Sequence, residues 1–165
     1  MDLADGFVRG MRRLASGVCV VTTATADGKR CGLTATAVSS LSLCPPSLVV
    51  GVNRRSRLGE VIKDVPAFAV NILGTRHRGV AEVFAGNVAG IRGTARFDHG
   101  EWRPSAEGVP VLDDAPASFI CKVDDIIERN THLLLIGVVT GVQVSDDEEC
   151  NLLIYFAQNF SAIST

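Results

Sequence analysis

A mainly β domain with a few short helices, of barrel or sandwich type, is what the sequence predicts. Short runs of branched and aromatic residues recur along the chain, bounded by Gly, Pro, Asn and Asp. These runs do not alternate with long helical patterns, which argues against a doubly wound parallel sheet. The 165 residues suit one domain spanning 1–165, long enough to bury a core of its own.

The elements follow in order. Leu3, Phe7, Met11 and Leu14 share a helix face behind Asp2, a candidate cap, and Gly17 suits the stop. Val18 to Thr23 reads as a strand, and Asp27-Gly28 as a hairpin turn. Gly32 to Ser42 reads as one further strand of small and hydroxylated residues, stopped at Pro45-Pro46. Ser47 to Val52 is a buried strand, Leu58 to Lys63 a short helix and Phe68 to Leu73 a strand. Arg76 to Phe84 fits a second helix, and the three glycines between Gly86 and Gly93 mark a loop. Strand-like pieces follow at Ala95–Phe97, Ser118–Ile127, Leu133–Val144 and Leu152–Phe156, with the acidic run Asp146 to Glu149 as a solvated hairpin tip.

Composition excludes several function classes. The formal net charge is −2, from 16 basic and 18 acidic residues, so no broad field draws the chain to nucleic acid or an anionic membrane. No apolar run approaches the ~20 residues of a membrane span, and the acidic start lacks the layout of a signal peptide. Five scattered cysteines form no C-x-x-C pair, and three distant histidines show no ligand spacing, so no metal is expected. The expected location is the cytoplasm. Dinucleotide-fold, P-loop and nucleophile-elbow signatures are all missing.

Four segments carry chemistry. Gly32 to Ser42 offers small side chains that admit a flat ring, with hydroxyls and backbone N–H groups for its polar edge. Without a ligand, the same composition describes a Thr/Ser-rich edge strand. Asn53-Arg54-Arg55-Ser56-Arg57 places three arginines around Ser56, a plausible helix cap, as a phosphate site or else a solvated basic turn. Phe84-Ala85-Gly86-Asn87, followed by Arg92, is a loop that lets backbone approach a ligand or simply a flexible connection. Asn130-Thr131-His132 puts an imidazole at a strand start, in a site or in a structural role.

Taken in this order, from about Phe7 to Phe160, the segments resemble the flavin reductase family of the FMN-binding split barrel. These are the reductase components of two-component flavin monooxygenases. Ala15 to Thr23 resembles the family's opening strand, Gly32 to Ser42 with Cys44-Pro45-Pro46 its flavin-binding strand, and Asn53 to Arg57 its phosphate-side turn. Phe68 to Leu73, Phe84-Ala85-Gly86 and the closing strand Leu152 to Phe156 match in position and type.

The resemblance implies a mainly β, Greek-key-like split barrel acting as a homodimer. It implies FMN or FAD as flavin, NADH or NADPH as hydride donor, and a partner monooxygenase that receives reduced flavin. By matched position Thr34, Ala35, Thr36 and Ala37 line the ring, with Ser39 and Ser40 toward the ribityl chain. Asn53, Ser56, Arg57 and Arg92 serve the phosphate end, and Phe84, Gly86, Asn130 and Tyr155 join the cofactor-binding set. His132 is the catalytic candidate, beside the nicotinamide.

Two departures stand out: Asn130-Thr131 replaces the family's Gly-Asp before His132, and Ala157-Gln158-Asn159-Phe160 is neutral where the family is basic. They leave two rivals, a non-catalytic flavin- or haem-binding module and an oxidase of a phosphorylated vitamin on the same barrel.

Overall fold

The structure is a computed structural model and describes residues 2–146 and 151–164. The chain runs α1 (Leu3–Met11), β1 (Ser16–Gly17), β2 (Cys19–Ala24), β3 (Arg30–Ala35), β4 (Val38–Leu43), β5 (Pro46–Asn53) and α2 (Arg57–Val61). It continues through β6 (Ala67–Ile72), α3 (Arg78–Ala85), β7 (Trp102–Pro104), β8 (Pro110–Leu112), β9 (Ala117–Arg129), β10 (His132–Val144), β11 (Leu152–Phe156) and β12 (Asn159–Ile163).

One antiparallel sheet of seven strands dominates, in the order β3-β2-β6-β9-β10-β5-β4. Its two edge strands, β3 and β4, are neighbours in sequence, joined by Thr36 and Ala37 alone. At ~3.8 Å between consecutive Cα atoms, that link forces the sheet to curl until its edges nearly meet. No ladder closes the gap, so the barrel is split there. The strand read as one piece from Gly32 to Ser42 is therefore two strands at opposite edges. Its composition is continuous, and only the curl of the whole sheet reveals the break.

The curl explains why β2 does not alternate in burial. Cys19 and Val21 pack inside the barrel with Val50, Phe68, Val70 and Leu135, while Val18 and Val20 pack outside it against Val80, Val83, Phe84 and Leu112. A strand covered on both faces reads as an unbroken apolar run. The fully buried Asn71 ties this region together. Its amide donates to the Val20 carbonyl at 3.0 Å, and its oxygen accepts from Leu112 N–H at 3.0 Å and the Ser118 hydroxyl at 2.9 Å.

Three other local expectations change. Ala95–Phe97 lies in a 3-10 turn, Gly93–Asp98, because Phe97 docks edge-on against Phe84 and Trp102 instead of joining a sheet. The first helix stops at Met11, with Gly17 already in β1, and the Asp2 side chain makes no capping bond. The apolar face of α1 is exposed throughout, Leu3 by 87% and Phe7 by 67%. The acidic tip expected at Asp146 to Glu149 lies, beyond Asp146, outside the described residues, as does Cys150. Among the described residues no helix is long and apolar enough to cross a membrane.

Asn71→Ala strands the Leu112 N–H and the Ser118 hydroxyl away from water. The expected loss is roughly 2–3 kcal/mol of unfolding free energy, read by urea denaturation, with unchanged far-UV circular dichroism.

Candidate functional site

The split in the barrel opens into a cavity of about 450 Å³. One wall is β3 with its continuation to Ala37. The facing wall comes from Gly51, Asn53, Ser56 and Arg57, and the end is formed by Phe84, Ala85, Gly93, Arg96 and His132. Three guanidinium groups, those of Arg30, Arg57 and Arg96, line it, and no carboxylate does among the described residues. Such a space favours an anionic ligand.

β3 presents an open sheet edge to this cavity, since it pairs only with β2. The Gly32 carbonyl accepts from Arg96 Nη1 at 3.3 Å, on the side away from β2. Backbone groups alternate sides in an antiparallel ladder, so the N–H and C=O of Thr34 face the same open edge. Thr34 spends its hydroxyl proton elsewhere, donating to the Ala81 carbonyl at 2.7 Å. That bond pins α3 to β3. Gly32 allows the approach, because a Cβ there would lie 2.7 Å from Phe84 Cε1. Gly51 N–H donates to the Ala37 carbonyl at 2.8 Å, which extends the β4–β5 pairing into the crossover.

The opposite wall is a pre-organised turn. The Ser56 hydroxyl donates to the Asn53 carbonyl at 2.7 Å and accepts from Gly59 N–H at 3.0 Å, capping α2. Asn53 Oδ1 accepts from Arg55 N–H at 2.9 Å. A Cβ on Gly59 would sit 2.3 Å from the Asn53 carbonyl oxygen, so only glycine lets α2 pack this closely. Arg57 Nη1 lies 3.2 Å from Glu60, and both side chains are exposed. A pair of that kind is weak and readily exchanged for another anion. Burial pushes the Cys31 thiol up, with Arg57 opposing the shift.

Nine of the residues singled out in the sequence line this cavity: Thr34, Ala35, Thr36, Ala37, Asn53, Ser56, Arg57, Phe84 and His132. His132 is exposed and stands opposite Asn53 in the β5–β10 register, with Nδ1 2.9 Å from the Thr131 hydroxyl.

The other six do not line it. Ser39 and Ser40 are exposed on the far edge, in β4. Gly86 closes α3 in a left-handed conformation at φ 81°, and Arg92 points to solvent. Asn130 sits at the β9–β10 turn with φ 49°. Tyr155 belongs to the small β1-β11-β12 sheet and packs on Phe160.

The cation on that side is Arg96, not Arg92. Arg96 Nη1 also donates to the Phe84 carbonyl at 3.2 Å, and its Nε is buried without a partner. Arg30, which the sequence reading passed over, stacks 4.8 Å above the Phe97 ring. Nothing in the loop composition tells which of two arginines four residues apart turns inward.

A family model described as the flavin reductase like domain matches residues 11–164. The chain belongs to the flavin reductase family. Its relatives include the FMN reductase (NADH) RutF of Acinetobacter baylyi, 35% identical over 94% of this chain and 80% of the relative. The 4-hydroxyphenylacetate 3-monooxygenase reductase component of Pseudomonas aeruginosa is 35% identical over 94% of this chain and 89% of the relative. A probable flavin reductase of Rhizobium meliloti is 38% identical over 79% of this chain, which spans only 40% of that longer protein. Among solved structures, flavin reductase PheA2 in its native state superposes with a TM-score of 0.86 at 28% identity, covering the whole of both chains. This flavin reductase family member thus has the split-barrel fold its β3–β4 crossover demands.

Ser56→Ala removes the cap of α2 and one anchor of the cavity wall. It is expected to cost about 1 kcal/mol of stability, measured as a lower urea midpoint at constant slope.

Proposed function

We propose that this chain reduces FMN or FAD with NADH or NADPH by direct hydride transfer and passes the reduced flavin to a partner monooxygenase. The observation that carries this reading is the anion-selective cavity along an open strand edge. A flat ring with a phosphorylated tail matches its two ends.

The residues fit the cofactor. The Gly32 N–H and the backbone groups of Thr34, on the open edge of β3, suit the polar edge of the ring, and Ala35 and Ala37 leave room for its face. Asn53, Ser56 and Arg57 suit the phosphate, with the N–H groups and charge of that turn as donors. When bound, the flavin supplies an acceptor for the hydride that the nicotinamide carries. The protein's part is to hold two planar ligands in contact and to keep water away. Arg96, held under the cavity by two carbonyls, favours negative charge on whatever lies above it. His132, at the mouth beside Asn53, orients the nicotinamide amide. No side chain acts as nucleophile.

The monooxygenase partner is proposed from the relatives named as reductase components. Two copies are proposed to pair through the apolar residues left uncovered on β4 and β10, where Leu43 is 90% exposed and Leu41, Val142 and Val144 lie open. Light scattering should then report twice the chain mass of 17.5 kDa, and a monomer at micromolar concentration would remove the pairing.

Purified protein is expected to oxidise NADH or NADPH when FMN or FAD is added, followed by loss of reduced-nicotinamide absorbance. Flavin bound without turnover would favour the non-catalytic reading instead. In the same assay His132→Ala should raise the nicotinamide KM about tenfold and leave flavin affinity nearly unchanged. The reverse pattern would reject the role given to His132.

A further inference from the structure

Helix α3 ends at the cavity with Phe84 and Ala85, and it begins beside a second recess of about 460 Å³. The ionisable groups lining that recess are Arg76, His77, Asp98, His99, Glu101 and Asp114. His77, the residue just before the helix, is only 4% exposed. Its Nδ1 accepts from Gly74 N–H at 3.0 Å, which assigns the ring hydrogen of the neutral imidazole to Nε2. Nε2 is buried, with Asp114 Oδ1 3.1 Å away but out of line for a hydrogen bond.

Gly74 is a junction. It bridges to Leu152 in β11, and the next residue, Thr75, donates its N–H to the Asn151 carbonyl at 2.9 Å. The end of β6, the foot of α3 and the small sheet meet there, and a Cβ on Gly74 would lie 3.2 Å from the Asn151 oxygen. The bond from Gly74 to His77 thus ties the helix to a tightly packed corner.

A second proton on His77 has only Nδ1 to go to. Two N–H donors would then face each other across 3.0 Å, and the bond to Gly74 cannot survive. The recess offers the imidazolium another place. Arg76 Nη2 donates to the Asp114 carbonyl at 2.6 Å, and its Nε lies 3.3 Å from Oδ2, which leaves Oδ1 toward His77. The Asp98 and Glu101 carboxylates enter no hydrogen bond or ion pair among the described residues.

We propose that His77 is a proton-operated latch on α3. Neutral, it fastens the foot of the helix to Gly74. Protonated, it turns to the carboxylates of the recess and lets the foot shift. Thr34 ties the middle of α3 to β3, and the far end carries Phe84 and Ala85, so the shift reaches the cavity and weakens ligand binding in acid. The effect on flavin rests on the reading proposed above, whereas the latch itself does not.

The test compares full-length wild type, His77→Gln and His99→Gln between about pH 8 and about pH 5.5, where histidine changes charge. A glutamine can accept from Gly74 N–H and donate toward Asp114 at every pH, so the first variant keeps the contacts and loses the titration. Heteronuclear NMR follows the Gly74 amide, and flavin fluorescence quenching gives the FMN dissociation constant. In wild type and His99→Gln the Gly74 amide proton should move upfield along a titration curve as pH falls. In His77→Gln it should stay in place. The acid rise in the FMN dissociation constant should be about threefold larger in wild type than in His77→Gln, the worth of one weak hydrogen bond.

A Gly74 resonance that stays fixed in wild type, or that moves equally in His77→Gln, overturns the latch. A resonance that titrates while FMN affinity changes alike in wild type and His77→Gln overturns its link to the cavity. Wild type that binds no FMN at any pH refutes the flavin reading instead, and the Gly74 resonance still decides the latch.

Discussion

The two residues Thr36 and Ala37 govern this structure, because they carry the chain from one edge of a seven-stranded sheet to the other. A link that short cannot span a flat sheet of seven strands, each about 4.8 Å from the next. The sheet must roll up, and it must roll with β3 and β4 side by side. The incomplete seam between them is therefore a consequence of chain connectivity, and the cavity is that seam. Its walls are small where the crossover presses on β5, since a Cβ on Gly51 would come within 3.0 Å of the Ala37 Cβ.

Curling also settles which surfaces are buried. The strands β2 and β6 receive the barrel interior on one face and α3 with the β7–β8 hairpin on the other. Two-sided burial leaves buried polar groups in the middle layer, and Thr22, Thr23 and Asn71 each find a carbonyl partner there. The polar network and the double core are one arrangement. The helix that covers β3 also delivers Phe84 and Ala85 to the cavity.

Much of this was legible in the sequence, and the reasons for the remainder are specific. The strands β2, β5, β6, β9 and β10 are rich in branched residues and end at turn residues, so their pattern is local. The two segments that line facing walls of the cavity stood out because small hydroxylated residues and a capped arginine turn are unusual compositions. The break at Thr36 was hidden, since a bend imposed by distant strands leaves no mark in a run of Ala, Thr and Ser. Arg96 was hidden for a related reason: its direction depends on Phe97 finding Phe84 and Trp102, a contact between segments. Ser39 and Ser40 were assigned by extending one strand past a point where the structure has already changed edges.

An unpaired strand edge is usually a hazard, because it invites another chain to add a strand. In β3 the hazard coincides with the cavity, so covering the edge permanently would abolish the site. The protein guards it by other means. The edge strand has six residues, its Gly32 carbonyl is already engaged by Arg96, and the Gly93–Asp98 turn stands in front of it. What remains open on that edge is chiefly the backbone of Thr34, which lines the cavity. The edge that forms the cavity wall is thus guarded by the protein's own residues, with no ligand required to cover it.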